Sequence, residues 1–115
     1  MDRRFLIYED FEYDVESIFE DLIARFNFIV TDKSDSGVFF KNSAVLLEVF
    51  YETGVQIWIK TQQPKSMKML YSLVKEKKLE EQFFEIIGEN FYKDRKGSLK
   101  RLSQFLVEHF SDELS

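Results

Sequence analysis

The chain of 115 residues has no cysteine, one histidine, one proline, four glycines and only two alanines, Ala24 and Ala44. Without cysteine there is no disulfide framework, no thiolate nucleophile and no thiolate zinc site. So few glycines leave little room for a phosphate cradle, and neither G-x-x-x-x-G-K-[ST] nor G-x-G-x-x-G occurs. No serine stands in a G-x-S-x-G context. His109, at the Phe105/Phe110 edge of a predicted last helix, reads as a boundary residue rather than a base. No apolar run approaches the ~18 residues of a membrane span. The opening Met1 to Glu9 is too short in its apolar part for a signal peptide, so a cytoplasmic protein is expected. Internal repeats and low-complexity linkers are also missing. The inventory excludes the familiar catalytic and cofactor motifs and points to a protein that is not an enzyme, with no cofactor and no metal.

What is present is a single domain's worth of chain, rich in one residue. Hydrophobic residues make up 44% and charged residues 32%, which places the sequence among folded rather than disordered proteins. Thirteen phenylalanines make much of the expected core aromatic. The net charge is −5, unevenly spread: residues 1–35 hold ten acids against Arg3, Arg4, Arg25 and Lys33. An acidic end of this kind repels nucleic acid and anionic lipid and attracts a basic protein surface.

Periodicity organises the chain as α+β. From Asp10, the spacing of Phe11, Val15, Ile18, Phe19, Leu22, Ile23 and Phe26 predicts one amphipathic helix, closed by Asn27 in a left-handed conformation. Phe28 to Asp32 and Val38 to Lys41 read as strands about the turn Lys33 to Gly37. Ala44 to Glu52 alternates Val45, Leu47, Val49 and Tyr51 to one side, and Val55 to Lys60 does the same with Val55, Ile57 and Ile59. The result is an antiparallel meander of three to four strands. Pro64 is placed at a helix start, with Met67, Leu70, Leu73 and Val74 as the apolar stripe. A junction at Lys75 to Lys78 follows, then a helical segment through Leu79, Phe83, Ile86 and Ile87 to Gly88. Ser98 is expected to cap a last helix carrying Leu99, Leu102, Phe105, Leu106 and Phe110 inward. Two to three C-terminal helices complete the domain.

Three surface constellations stand out. Glu9, Glu12, Glu16 and Glu20, flanked by Asp10, Asp14 and Asp21, form an acidic stripe on the first helix. First-turn acids suit the helix dipole, but Glu16, Glu20 and Asp21 lie further along. The stripe is either a solvated face kept for solubility or a surface that meets a basic partner. The alternation of Asp10, Glu12, Asp14 and Glu16 imitates a calcium loop, yet Val15 stands where glycine is needed and Asp21 where the bidentate Glu belongs, so no metal site is expected. On the second face of the sheet, Leu46, Glu48 and Phe50 lie beside Gln56, Trp58 and Lys60. Either the C-terminal helices cover that face, or Phe50 and Trp58 anchor a partner or a homodimer. Finally, Lys93, Arg95, Lys96, Lys100 and Arg101 cluster about Gly97, where pairing with acids, solvation and an anion site are the alternatives. Nucleic-acid binding is not expected from a net acidic chain without a recognition motif.

One resemblance adds to this reading. Arg25-Phe26-Asn27-Phe28, then Val38-x-Phe40-x-Asn42, then Leu47-Glu48-Val49-x-Tyr51-Glu52-x-Gly54-x-x-x-Trp58-Ile59 resembles small bacterial immunity proteins of polymorphic and contact-dependent toxin systems. The likeness covers about half of the chain and carries no family site residues. It implies a protein that neutralises a toxin by direct binding, and an acidic inhibitor suits a cationic nuclease toxin. The expectation is a domain that occludes a basic partner through Glu12, Glu16, Glu20, Asp21, Phe50 and Trp58, with self-association through the aromatic sheet face as the alternative.

Overall fold

The computed structural model describes residues 9–52, 54–62 and 65–115, so the expectations for Met1 to Tyr8 and for Pro64 lie outside the described residues. Alternation builds an antiparallel sheet of five strands in the order β1-β2-β3-β4-β5, one strand more than the periodicity predicts. These are β1 (Ile29–Ser34), β2 (Gly37–Lys41), β3 (Val45–Tyr51), β4 (Val55–Gln62) and β5 (Lys65–Met69). Along β3 every second side chain is buried, which puts Val45, Leu47, Val49 and Tyr51 on the inner face as their spacing requires. Val38, Phe40, Ile57 and Ile59 complete that face. The turn from β2 to β3 is held by Asn42, whose Oδ1 accepts from the amides of Ala44 and Val45 at 2.9 and 2.8 Å. A bulge between Val30 and Asp32 bends the edge strand β1.

The first helical segment divides into α1 (Phe11–Ile18) and α2 (Glu20–Arg25). The division is slight, since Phe19 donates to the Val15 carbonyl at 2.9 Å and accepts from the Ile23 amide at 2.8 Å. Asn27 ends it with φ 58°, the left-handed conformation expected there. The C-terminal half forms α3 (Leu70–Glu76), α4 (Glu80–Ile87), α5 (Glu89–Lys93), α6 (Arg95–His109) and α7 (Ser111–Leu114). Lys78, at φ 59°, makes the junction between α3 and α4.

Two local expectations are corrected. Lys65 to Met69 is a strand paired with β4, not the first turn of a helix, and the helix begins only at Leu70. The cap of α6 is Asp94, which accepts from the Gly97 amide at 3.1 Å; Ser98 lies fully buried inside the helix. A Cβ on Gly97 would come within 2.1 Å of Asp94 Oδ2, so the close approach of this cap requires glycine.

The helices form one layer on the inner face of the sheet. Phe19, between α1 and α2, stacks on Phe40 at 6.3 Å, Phe11 meets Tyr51 at 5.7 Å, and Phe91 of α5 stacks on Tyr51 at 6.0 Å. Phe83 of α4 then reaches Phe105 of α6 at 5.8 Å, and Phe105 reaches Phe110 at 5.7 Å. Burying each such ring is worth roughly 1.5–3 kcal/mol, so the aromatic core dominates over surface pairs in holding the fold. Among the described residues no helix is long and apolar enough to cross a membrane.

Candidate functional site

With the helices on one side, the described side chains of the other face form three cross-strand rows. The first runs Ile29, Lys41, Leu46, Lys60 and Met67 across all five strands. The second runs Asp32, Phe39, Glu48, Trp58 and Met69, and the third Ser34, Gly37, Phe50 and Gln56. The sequence leaves open whether C-terminal helices cover Leu46, Phe50 and Trp58; the described ones occupy the opposite face. Ile29 and Met67 are 63% and 55% exposed, while Phe39, Leu46, Phe50, Trp58 and Met69 are partly buried. Seven large apolar side chains on one sheet face form a continuous surface of the kind that marks binding.

This surface is ordered by two contacts. Phe39 and Phe50 meet edge to face at 5.2 Å. Gly37, opposite Phe50 in the ladder, leaves room for that ring, since a Cβ there would stand 2.8 Å from Phe50 Cδ1. At the centre, Glu48 and Lys60 pair at 2.7 Å, with the Glu48 side chain only 14% exposed. The face is therefore apolar with a fixed charge pair in its middle, which supplies both buried area and register.

The acidic stripe is spent differently from its sequence reading. Glu12 is buried, against the expectation that it faces a partner, and it flanks the stripe of Phe11, Val15 and Phe19. Glu16 pairs with Lys33 of β1 at 3.1 Å, and Lys33 also lies 5.6 Å from the Tyr13 ring. Asp21 meets Arg25 at 3.5 Å in the expected i,i+4 pair, and Glu20 is exposed. Glu16, Glu20 and Asp21 thus belong to the helical layer, and Phe50 and Trp58 to the far side of the sheet. One flat partner cannot sit on both at once.

Two arginines of the basic cluster make contacts within the fold. Asp94 already supplies the carboxylate at the start of α6, the Arg95 guanidinium lies 5.9 Å from the Tyr51 ring, and Arg101 donates to Ser98 Oγ at 2.9 Å. Burial raises the Tyr51 phenol above its ordinary value of 10.0, and Arg95 pulls it back in part. His109 lies against Phe105 at 5.0 Å, with Nε2 3.4 Å from the Gln82 amide nitrogen. Its carbonyl accepts from Lys77 Nζ at 2.9 Å, a structural use of the residue. A shallow groove of about 380 Å³ between α4 and α6 is lined by Glu85, Ile86, Arg101, Phe105 and Glu108 among others. Among the described residues no group of three or more His, Cys, Asp or Glu side chains could hold a metal ion.

Of the residues expected from sequence, Phe50 and Trp58 share the sheet surface, whereas Phe39, Met67 and Met69 are added by the structure. The signal for Phe39 was its alternation with Val38 and Phe40. For the two methionines there was none, because their spacing merges with that of α3. No known protein family, curated protein or solved structure matches the chain.

Proposed function

We propose that this chain acts by binding another protein through the outer face of its sheet, and that it is not an enzyme. The observation that supports this is the row structure of that face: Phe39, Leu46, Phe50, Trp58, Met67 and Met69 lie together, away from the helical layer. Large aromatic and methionine side chains are the groups that anchor protein interfaces. Within this function, the resemblance of Phe11 to Lys60 to small immunity proteins favours an inhibitor that occludes a toxin domain. The net charge of −5 suits a basic partner, with the acids acting at long range on association and the apolar face forming the contact.

Capture from a lysate of the native organism tests the reading, using wild type and Trp58→Glu in parallel at low and moderate salt. One basic, toxin-sized protein retained by wild type and lost from Trp58→Glu supports an inhibitor docked on this face. Equal retention by both proteins contradicts docking on the sheet. Self-association through the same face is the second reading, and the distribution of charge on the face favours it.

A further inference from the structure

Resting on the reading that the outer sheet face docks a protein, we infer that in the free protein its occupant is a second copy of this chain. Charge is the first reason. The chain as a whole carries −5, but the described charged side chains of this face are balanced: Lys41 and Lys60 against Asp32 and Glu48. An acidic second copy is not repelled here.

Placement of those charges is the second reason. Both lysines stand in one cross-strand row, Ile29-Lys41-Leu46-Lys60-Met67, and both acids in the next, Asp32-Phe39-Glu48-Trp58-Met69. A two-fold axis lying in the interface, directed across the strands and between these rows, exchanges them. The lysine row of each copy then lies over the acidic row of the other, the self-complementarity that an isologous interface requires. In this register Lys60 of one copy lies over Trp58 of its partner and beside the partner's Glu48, so cation–π attraction and charge pairing act together. The strands of the two sheets run nearly parallel or antiparallel, the aligned arrangement of stacked sheets, at about 10 Å separation.

Size is the third reason. Five strands at about 4.8 Å spacing, five to eight residues long at about 3.3 Å each, give a face of roughly 20 by 20 Å. That lies at the small end of specific interfaces, so the dimer is a reversible one, forming in the micromolar range and open to displacement by a tighter partner.

Sedimentation equilibrium on the full chain from about 1 to 200 µM tests this, the range being that of small reversible interfaces. Wild type is expected to pass from monomer to dimer. Trp58→Glu and Met67→Glu are each expected to raise the dimer Kd by about tenfold or more. Met67 is 55% exposed, so its variant should keep the wild-type thermal melt and report on association alone. Lys60→Glu should weaken the dimer, and the swap Glu48→Lys with Lys60→Glu should restore it only in part, since the charge pairing returns and the cation–π contact on Trp58 does not. A wild-type chain that stays monomeric throughout, or a dimer indifferent to Trp58→Glu and Met67→Glu, overturns the inference. If a monomeric chain still captures a partner through Trp58, the second copy is wrong and the docking face stands. If that capture ignores Trp58 as well, both fall.

Discussion

The side-chain amide of Asn42 donates to the carbonyl of Leu114, 72 positions later in the chain, at 2.7 Å. The same nitrogen donates to the Phe26 carbonyl at 3.0 Å, while Oδ1 accepts from the amides of Ala44 and Val45. One side chain in the β2–β3 turn therefore ties together the end of α2, the start of β3 and the C-terminal α7. This explains why an otherwise ordinary turn needs asparagine and not aspartate or glycine: of the three, only the amide offers donors and an acceptor together.

Asn42→Asp keeps the acceptor and loses both donations, leaving a carboxylate beside two carbonyl oxygens. At about 1 kcal/mol for each lost bond, plus repulsion, the variant should lose about 2–4 kcal/mol. Urea unfolding followed by Trp58 fluorescence would show this as a lower midpoint with an unchanged slope. Stability equal to wild type would mean that the turn does not depend on this bridge.

Lys77 closes the other end of the helical layer. Its Nζ pairs with Glu113 at 2.7 Å, donates to the His109 carbonyl at the end of α6 and sits 4.8 Å from the Phe110 ring centre. The pair is partly solvated, with side-chain exposures of 33% and 26%, so its Coulombic share is screened. Lys77→Met, which keeps much of the stem, is expected to cost about 1 kcal/mol through the lost helix-end and cation–π contacts. The deficit should shrink in 1 M salt, about the concentration at which screening acts over ~3 Å. A deficit independent of salt would assign the effect to packing alone.

Gly37→Ala tests how tightly the outer face is arranged. Glycine in a strand normally gives way to alanine with a gain, because the unfolded chain loses entropy. Here the new methyl would stand 2.8 Å from Phe50 Cδ1, and the ring must move off Phe39 to accept it. A loss of about 1–2 kcal/mol is expected, the cost of overpacking. A gain in thermal stability would show that the Phe50 ring does not rest over β2.

Tyr51 gives a pH dependence with a definite sign. Its phenol is held above 10.0 by burial, which outweighs the opposing pull of Arg95, so the folded state keeps the proton that the unfolded state has already released. The associated stability is full below pH 10 and is lost as pH rises from there through the raised folded value. Tyr51→Phe removes a titrating group without emptying the core and should flatten that alkaline decline relative to wild type. Parallel declines in the two proteins would assign the loss to other groups.

The inner half of the structure was the legible half. Val45, Leu47, Val49 and Tyr51 alternate because one face must leave water, and Phe11, Val15 and Phe19 recur at helical spacing for the same reason. Asn27 at φ 58° followed from local turn chemistry, and the junction at Lys78 from the charged run Lys75 to Lys78. What misled was residues serving two patterns. Met67 matches the stripe of Leu70, Leu73 and Val74, yet it belongs to β5, opposite Lys60. Glu12 matches the acidic stripe, yet helical rotation carries it to the buried flank beside Phe11. The basic run Arg95-Lys96 followed by Gly97 reads as loop, while Asp94 makes it the first turn of α6. The outer sheet surface depends on which layer the helices choose, a long-range matter that no local spacing encodes.

The most direct test of the docking face is hydroxyl-radical footprinting of the chain, at high concentration and with any captured partner. Protection of Trp58, Met67 and Met69, with Tyr13 and Phe84 of the helical layer still reactive, is the expected result. Protection of Tyr13 and Phe84, with Trp58 and Met67 left reactive, would contradict the account and move binding to the helices.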